Sequence, residues 1–347
     1  MHGHQARSSI ARIFVGKWPT MVNEFHQMSV LITGGFGFVG GRLGKHLVHA
    51  GYQVMLSSRC ETNSPEWLPQ AEVTKILWQD DSSLERMCNG ADMVIHASGL
   101  NAQDCSENPL SALEINGMYT IRLLTAAKKA GVKRFIYLST AHVYSDPLIG
   151  ILNEETCPRN MHPYATSHLA GEYAVIEAGQ RNEIESLVLR LSNVFGSPAY
   201  KGVNCWMLTV NDLCRQVIQK KEMLLRTDGH QERDFIPMTD VCYVIEQLLR
   251  HASFSSLHAI LNVGSGKSYS VLEMAQKIQA RCKFLFDFKP NIQRGKSCSN
   301  QNKLKYCIDR LKEAGITSDV DMDSEIDNLL QFCFNNFGCD ESINGEQ

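Results

Sequence analysis

No apolar run in this 347-residue chain approaches the roughly 18 residues that a membrane-spanning helix requires, which excludes a membrane span. A surplus of one charge sign is also missing. The 34 basic side chains are matched by 37 acidic ones, for a net charge of −3. Such a balance leaves no electrostatic footprint for nucleic acid or for an anionic membrane surface. Twelve cysteines are present, but none stands in a CxxC pair and no Cys/His group has zinc-ligand spacing, so no metal site is expected. A compact apolar stretch behind the N-terminus is lacking too, so no secretory signal is read. The thiols are therefore expected to be reduced, in a cytoplasmic protein. Internal repeats, heptads and low-complexity tracts are likewise missing. What remains is a composition of 44% hydrophobic and 20% charged residues, which fits one large folded α/β domain or two lobes.

Residues 1–27 are basic and weakly patterned and read as an N-terminal extension. From Ser29 onward short apolar runs alternate with helical stretches: SVLIT, then GRLGKHLVHAG, then YQVMLSS, VTKILWQ, SSLERMCNG, DMVIHAS, a long helical segment over 109–131, and RFIYLST. A further helix over 164–180 and the strand SLVLRLS extend the series. Buried parallel strands read as short continuous apolar runs, and strand–helix alternation implies a parallel sheet covered on both faces. The expected fold is α/β, a doubly wound parallel Rossmann sheet over 28–195 that later segments can rejoin. A smaller mixed α/β substrate lobe is expected over 196–335, followed by an acidic tail over 336–347.

The segment Thr33-Gly34-Gly35-Phe36-Gly37-Phe38-Val39-Gly40 lies where the first strand meets the first helix. Glycines at these spacings permit a tight turn, a close approach of pyrophosphate to the backbone, and close packing of helix on sheet. Free amides and the helix dipole attract the phosphates. Gly34, Gly37, Phe38 and Gly40 are the candidate dinucleotide contacts of this loop. An acid at the end of the second strand is missing; Ser57-Ser58-Arg59 stands there instead. A carboxylate would bond ribose hydroxyls and repel an added 2′-phosphate, whereas Ser57 and Arg59 suit that phosphate, so the reading leans to NADP over NAD. Asp80 or Asp81 could bond the adenine, and helix capping competes equally for that position.

An ordered set of segments resembles the extended short-chain dehydrogenase/reductases of the sugar-nucleotide epimerase/dehydratase family. The segments are TGGFGFVG at 33–40, DMVIHASGLNA at 92–102, EINGMYTIRLLTAAKKAGVKRFIYLST at 114–140, HVYSD at 142–146, HPYATSHLAGE at 162–172, LRLSNVFG at 189–196, RDFIPMTDV at 233–241 and NVGSGKSYSV at 262–271. HASGLNA is particularly similar to nucleotide-sugar 4-epimerases. The resemblance implies hydride transfer at a sugar carbon. Tyr164 would be the acid/base and Thr140, or its neighbour Ser139, would hydrogen-bond the reacting oxygen. It further implies that Ala97 and Ser98 lie along the cofactor and that Asn116 supports the site. Asn193 and Arg233 would bind the diphosphate of a nucleotide-sugar substrate, with Arg190 supporting the pocket; Trp206 and Phe235 are candidates to stack on its base. Family members pair as homodimers, and here the pairing helices would be roughly 106–130 and 164–180.

Two more absences qualify the resemblance. The family writes YxxxK, and this chain reads Tyr164-Ala165-Thr166-Ser167-His168. The family lysine bonds the nicotinamide ribose and lowers the tyrosine pKa. His168, one helical turn beyond Tyr164, can bond the ribose when neutral and replace the charge only when protonated. Three readings follow: His168 is a weaker, pH-sensitive substitute, other groups assist the tyrosine, or the site is silent and only binds cofactor. The Asp-Glu pair that 4,6-dehydratases carry after the catalytic threonine is also missing, since Ala141-His142 follows Thr140. Epimerisation or ketone reduction remains. His142 and His162 read first as structural residues and second as proton carriers.

Overall fold

The structure, a computed structural model, describes residues 28–60, 63–296, 303–317 and 321–338. The extension expected over 1–27 and most of the acidic tail lie outside the described residues.

Five strands, β1 (Ser29–Thr33), β2 (Gln53–Ser58), β3 (Glu72–Lys75), β4 (Met93–His96) and β5 (Arg134–Thr140), join Glu185–Leu191 and Ile260–Val263 in one sheet. The order is β3-β2-β1-β4-β5, then Glu185–Leu191, then Ile260–Val263, and every pairing is parallel. Such a sheet must be covered on both faces, and alternate residues of β1 show how. Val30 and Ile32 pack toward Leu43 and Leu47 of helix α1 (Phe38–His49), whereas Leu31 packs toward Leu123 and Leu124 on the opposite face. The order reverses between β1 and β4, which is where a doubly wound sheet opens its cofactor crevice.

The strand Ile260–Val263 lies beyond residue 196 yet completes this sheet, and helix Met238–Arg250 packs in the same core as α1. The smaller lobe holds a three-stranded sheet in the order Ser268–Ser270, Glu232–Pro237, Asn193–Phe195. Helices Thr209–Lys220, Val271–Phe286 and Met322–Phe337 enclose a third core with it.

The stretch 109–131 is not one regular helix. It runs as α-helix over Pro109–Ala112, widens to a π-turn over Leu113–Met118, and returns to α-helix over Tyr119–Lys129. Gly117 sits in that turn, where an added Cβ would lie 3.3 Å from Leu113 Cδ1 and 3.4 Å from Ala170 Cβ. The widened turn thus lies close against helix Pro163–Gln180 and swings Asn116 inward.

Candidate active site

The phosphate-loop end is built from close backbone approaches. Gly34 has φ +68, and a Cβ there would stand 2.7 Å from the Ala97 carbonyl. The Gly37 amide donates to the Gly34 carbonyl at 2.8 Å, closing the turn. A Cβ on Gly40 would run into that same carbonyl. Gly37 caps α1 without any side-chain hydrogen bond, Phe38 opens the helix, and no acid occupies its first turn. The amides at this N-terminus are left for an anion.

At the end of β2 the Ser57 hydroxyl is buried with no hydrogen-bond partner among the described residues, and Arg59 beyond it is exposed. A depression lined by Phe36, Ser58, Glu66, Trp67 and Tyr200 adjoins them. Trp67 and Tyr200 stack there at 5.3 Å, and the Tyr200 hydroxyl donates to the Phe36 carbonyl at 3.1 Å. A cradle that Cβ atoms would fill and an orphaned buried hydroxyl at the strand end both fit a dinucleotide. Asp80 is the N-cap of helix α2 (Asp81–Cys88): its carboxylate accepts from the Ser83 amide at 3.1 Å. Asp81 pairs with Arg122 at 3.4 Å.

At the other end, β5 delivers Ser139 and Thr140 to opposite faces, as successive strand residues must be. Ser139 turns to Glu172 and donates to its carboxylate at 2.5 Å. Thr140 turns to the face that carries Tyr164, and its Oγ1 accepts from the His142 amide at 3.1 Å. Pro163 starts the long helix, and the His162 ring accepts from the Tyr164 amide at 3.1 Å, so His162 is that helix's N-cap. Burial raises the Tyr164 pKa above its ordinary 10.0, and the neighbouring Thr140 hydroxyl opposes this. His168 packs edge-on to the Tyr164 ring at 4.6 Å. Burial pushes His168 down to about 4, so at neutral pH the ring carries no charge. The charged substitute for the family lysine is therefore not present at pH 7; a neutral imidazole stands in its place.

Asn116 accepts from the Leu100 amide at 2.8 Å and donates to Ser167 at 3.0 Å, tying the loop after β4 to the tyrosine helix. Ala97 and Ser98 follow β4 directly, and the Ala97 amide donates to the Thr33 carbonyl at 3.2 Å.

On the substrate side, Arg233 is held by Thr209 at 3.2 Å and makes no ion pair within 4.0 Å among the described residues. The adjacent Asp234 does not pair with it, because that buried carboxylate is taken by Ser192 and Ser265 at 2.6 and 2.9 Å. Asn193 donates to the Asp234 carbonyl at 3.0 Å. Burial and the Arg233 charge hold His142 below its ordinary pKa. Phe235 is fully buried in the smaller lobe's core, and Trp206 packs edge-on to Phe337 at 4.9 Å. Arg190 is buried, bonds Glu172 through two nitrogens, and lies over the Tyr144 ring, so it braces the sheet against the tyrosine helix.

Sequence reasoning missed Glu172, His96 and Tyr137. Glu172 had a usable signal, since it falls two helical turns beyond Tyr164 on the same face. His96 and Tyr137 sit inside apolar strand runs and had none.

A sheet reversing beside a glycine cradle, with a tyrosine–threonine pair across the crevice, defines a dinucleotide-binding oxidoreductase-type fold. The model of the NAD dependent epimerase/dehydratase family matches residues 30–264, and the chain belongs to that family. It is 28% identical over 280 residues to the UDP-glucose 4-epimerase of Erwinia amylovora, covering 73% of this chain and 82% of that one. The structure of MoeE5 in complex with UDP-glucose and NAD aligns with TM-score 0.71 at 24% identity, over 88% of this chain and 99% of that chain. RMD from Pseudomonas aeruginosa complexed with NADPH aligns with TM-score 0.72 at 24% identity, over 89% and 99%. Among the described residues no helix is long and apolar enough to cross a membrane, and no group of metal ligands is assembled.

Proposed function

We propose that the protein is an NAD(P)-dependent sugar-nucleotide epimerase or reductase in which Tyr164 exchanges a proton with a sugar hydroxyl. The observation that carries this reading is the glycine cradle at the sheet's reversal together with the placement of Thr140 beside Tyr164, whose pKa it lowers. A bound nicotinamide would supply the hydride acceptor or donor. Gly34, Gly37, Phe38 and Gly40 would hold its pyrophosphate, Ser57 and Arg59 the adenosine ribose, and Ala97, Ser98, Asn116 and His168 the other half. Thr140 orients the sugar oxygen while Tyr164 takes or returns its proton. Asn193 and Arg233 bind the substrate diphosphate, and an unpaired, well-anchored guanidinium suits that anion.

The exposed Arg59 beside the orphaned Ser57 favours NADP. A second reading, NAD, is favoured by Glu66, which returns to the same depression a carboxylate that β2 lacks. An unassisted tyrosine makes the site slow at neutral pH, which also supports the alternative of a catalytically weakened cofactor-binding protein. A homodimer fits the apolar side chains left exposed on the two expected pairing helices, Leu110, Leu113, Met118, Ile121 and Tyr173. The described cysteines are all free thiols, in keeping with a cytoplasmic protein.

Mass spectrometry of nucleotide released on denaturation, followed by turnover of a panel of nucleotide-sugars, tests the reading. Tyr164→Phe is expected to lower turnover at least about a hundredfold while nicotinamide affinity changes less than threefold. Unchanged turnover sinks the tyrosine mechanism, and a protein that binds neither NAD nor NADP sinks the family chemistry for this chain.

A further inference from the structure

Tyr137 takes no part in the chemistry proposed above, yet it is the residue that holds His168. A chain of buried hydrogen bonds fixes how. The Asn116 carbonyl receives the Thr120 hydroxyl at 2.6 Å. Thr120 Oγ1 is then the acceptor for His96 Nε2–H at 3.0 Å, and His96 Nδ1 accepts the Thr33 hydroxyl at 2.6 Å. Burial pushes His96 down to about 3, so the ring is neutral and a single tautomer satisfies both contacts. The Tyr137 ring stacks on His96 at 5.6 Å. Its hydroxyl lies 3.4 Å from the Asn116 carbonyl, which also accepts from Thr120, and 2.9 Å from His168 Nδ1.

The short contact decides the donor. Burial and the Glu172 carboxylate keep the Tyr137 phenol protonated, and its hydrogen goes to His168 Nδ1, the nearer acceptor by 0.5 Å (2.9 against 3.4 Å). His168 Nδ1 accepts, and the proton of the neutral ring sits on Nε2. Nε2 makes no hydrogen bond to any described residue. The ring's Cε1 lies 3.8 Å from where a Cβ on Gly99 would stand, in the loop that continues from Ala97 and Ser98. Gly171 makes the arrangement possible, because a Cβ there would stand 2.9 Å from the Tyr137 hydroxyl.

We propose that Tyr137 is a positioning residue that, by donating to His168 Nδ1, fixes His168 as an Nε2–H donor to a hydroxyl of the nicotinamide ribose. This rests on the dinucleotide-binding reading above. It assigns to a neutral ring the bonding half of the work that the family resemblance gives to lysine, and leaves the charge half undone.

Long-range proton–nitrogen spectra of ¹⁵N-histidine-labelled protein test it directly, with His168 assigned by comparison with His168→Gln. The expected pattern is an unprotonated Nδ1 and a protonated Nε2. Tyr137→Phe should convert it to a mixture, and so should Gly171→Ala, which displaces the hydroxyl without removing it. Tyr137→Phe should also weaken NADPH or NAD binding about five- to tenfold by fluorescence titration. In a His168→Lys background the same change should matter less than twofold, because an ammonium has no tautomer to fix. A proton on Nδ1 in the native protein overturns the proposal, as does a tautomer that Tyr137→Phe leaves unchanged. The expected tautomer in a protein that binds neither nucleotide overturns the ribose contact and the function reading, while leaving the Tyr137–His168 assignment standing.

Discussion

The two ends of the cofactor crevice are finished to different degrees. At the phosphate-loop end every feature needed for a pyrophosphate is present: Gly34 at positive φ, an uncapped helix N-terminus, and no carboxylate in its first turn. At the catalytic end the tyrosine and threonine are in place, but the neighbouring cation is replaced by a buried ring that burial keeps neutral. The first end depends on backbone geometry, which tolerates almost no side-chain change. The second depends on one charge, which a single substitution removes without disturbing the fold. On the function proposed above, the first end suits a dinucleotide while the second lacks a cation that would help ionise the tyrosine. His168 sits one turn from Tyr164, Glu172 two turns, and only Glu172 meets a guanidinium.

Changes at each end should therefore fail in different ways. The largest effect is expected from Gly40→Ala, whose Cβ strikes the Gly34 carbonyl. Nicotinamide affinity should fall at least about a hundredfold in a fluorescence titration, because the loop must open to relieve the clash. Retained affinity would mean that the cradle is not the phosphate site.

A middling effect is expected from acid. His168 has a folded pKa of about 4, below its ordinary 6.5. On acidification the unfolded chain takes up that proton first, so stability is lost as pH falls from about 6.5 to about 4. The slope contributed is up to about 1.4 kcal/mol per pH unit. His168→Gln should flatten the pH dependence of urea unfolding across that window by up to this amount. Identical slopes would place the native ring in water or beside an anion.

The smallest effect is expected from Asp80→Ala. Losing the N-cap of α2 should cost about 1 kcal/mol in thermal unfolding and leave nicotinamide affinity within twofold. A large loss of affinity would instead assign Asp80 to the adenine.

The difference between the two ends also governs what could be read from the sequence. Glycines needed for positive φ or for close backbone approach leave a local fingerprint, so the loop, the strand–helix alternation and the helix over 164–180 are legible from residue order alone. Tyr164 and Thr140 are legible only through the family resemblance of the segments that hold them. The partners of His168 are not local: Tyr137 lies 31 residues away and looks like any aromatic in a buried strand. The π-turn at Leu113–Met118 escapes detection because helical periodicity resumes on either side of it. The return of Ile260–Val263 to the main sheet is invisible for a similar reason, since a short apolar run does not say which sheet it joins. Residue type alone leaves capping and adenine contact equal at Asp80; the structure adds the capping bond to the Ser83 amide.

The central claim is that Tyr164 stands without a cation, its phenol less acidic than an ordinary tyrosine. Ultraviolet titration of phenolate absorbance, with Tyr164→Phe subtracted from the native protein, isolates this hydroxyl. The account predicts ionisation above pH 10.0 in the native protein and a midpoint at least about one unit lower in His168→Lys. A native Tyr164 that ionises near neutral pH, or a midpoint that His168→Lys leaves in place, would contradict it.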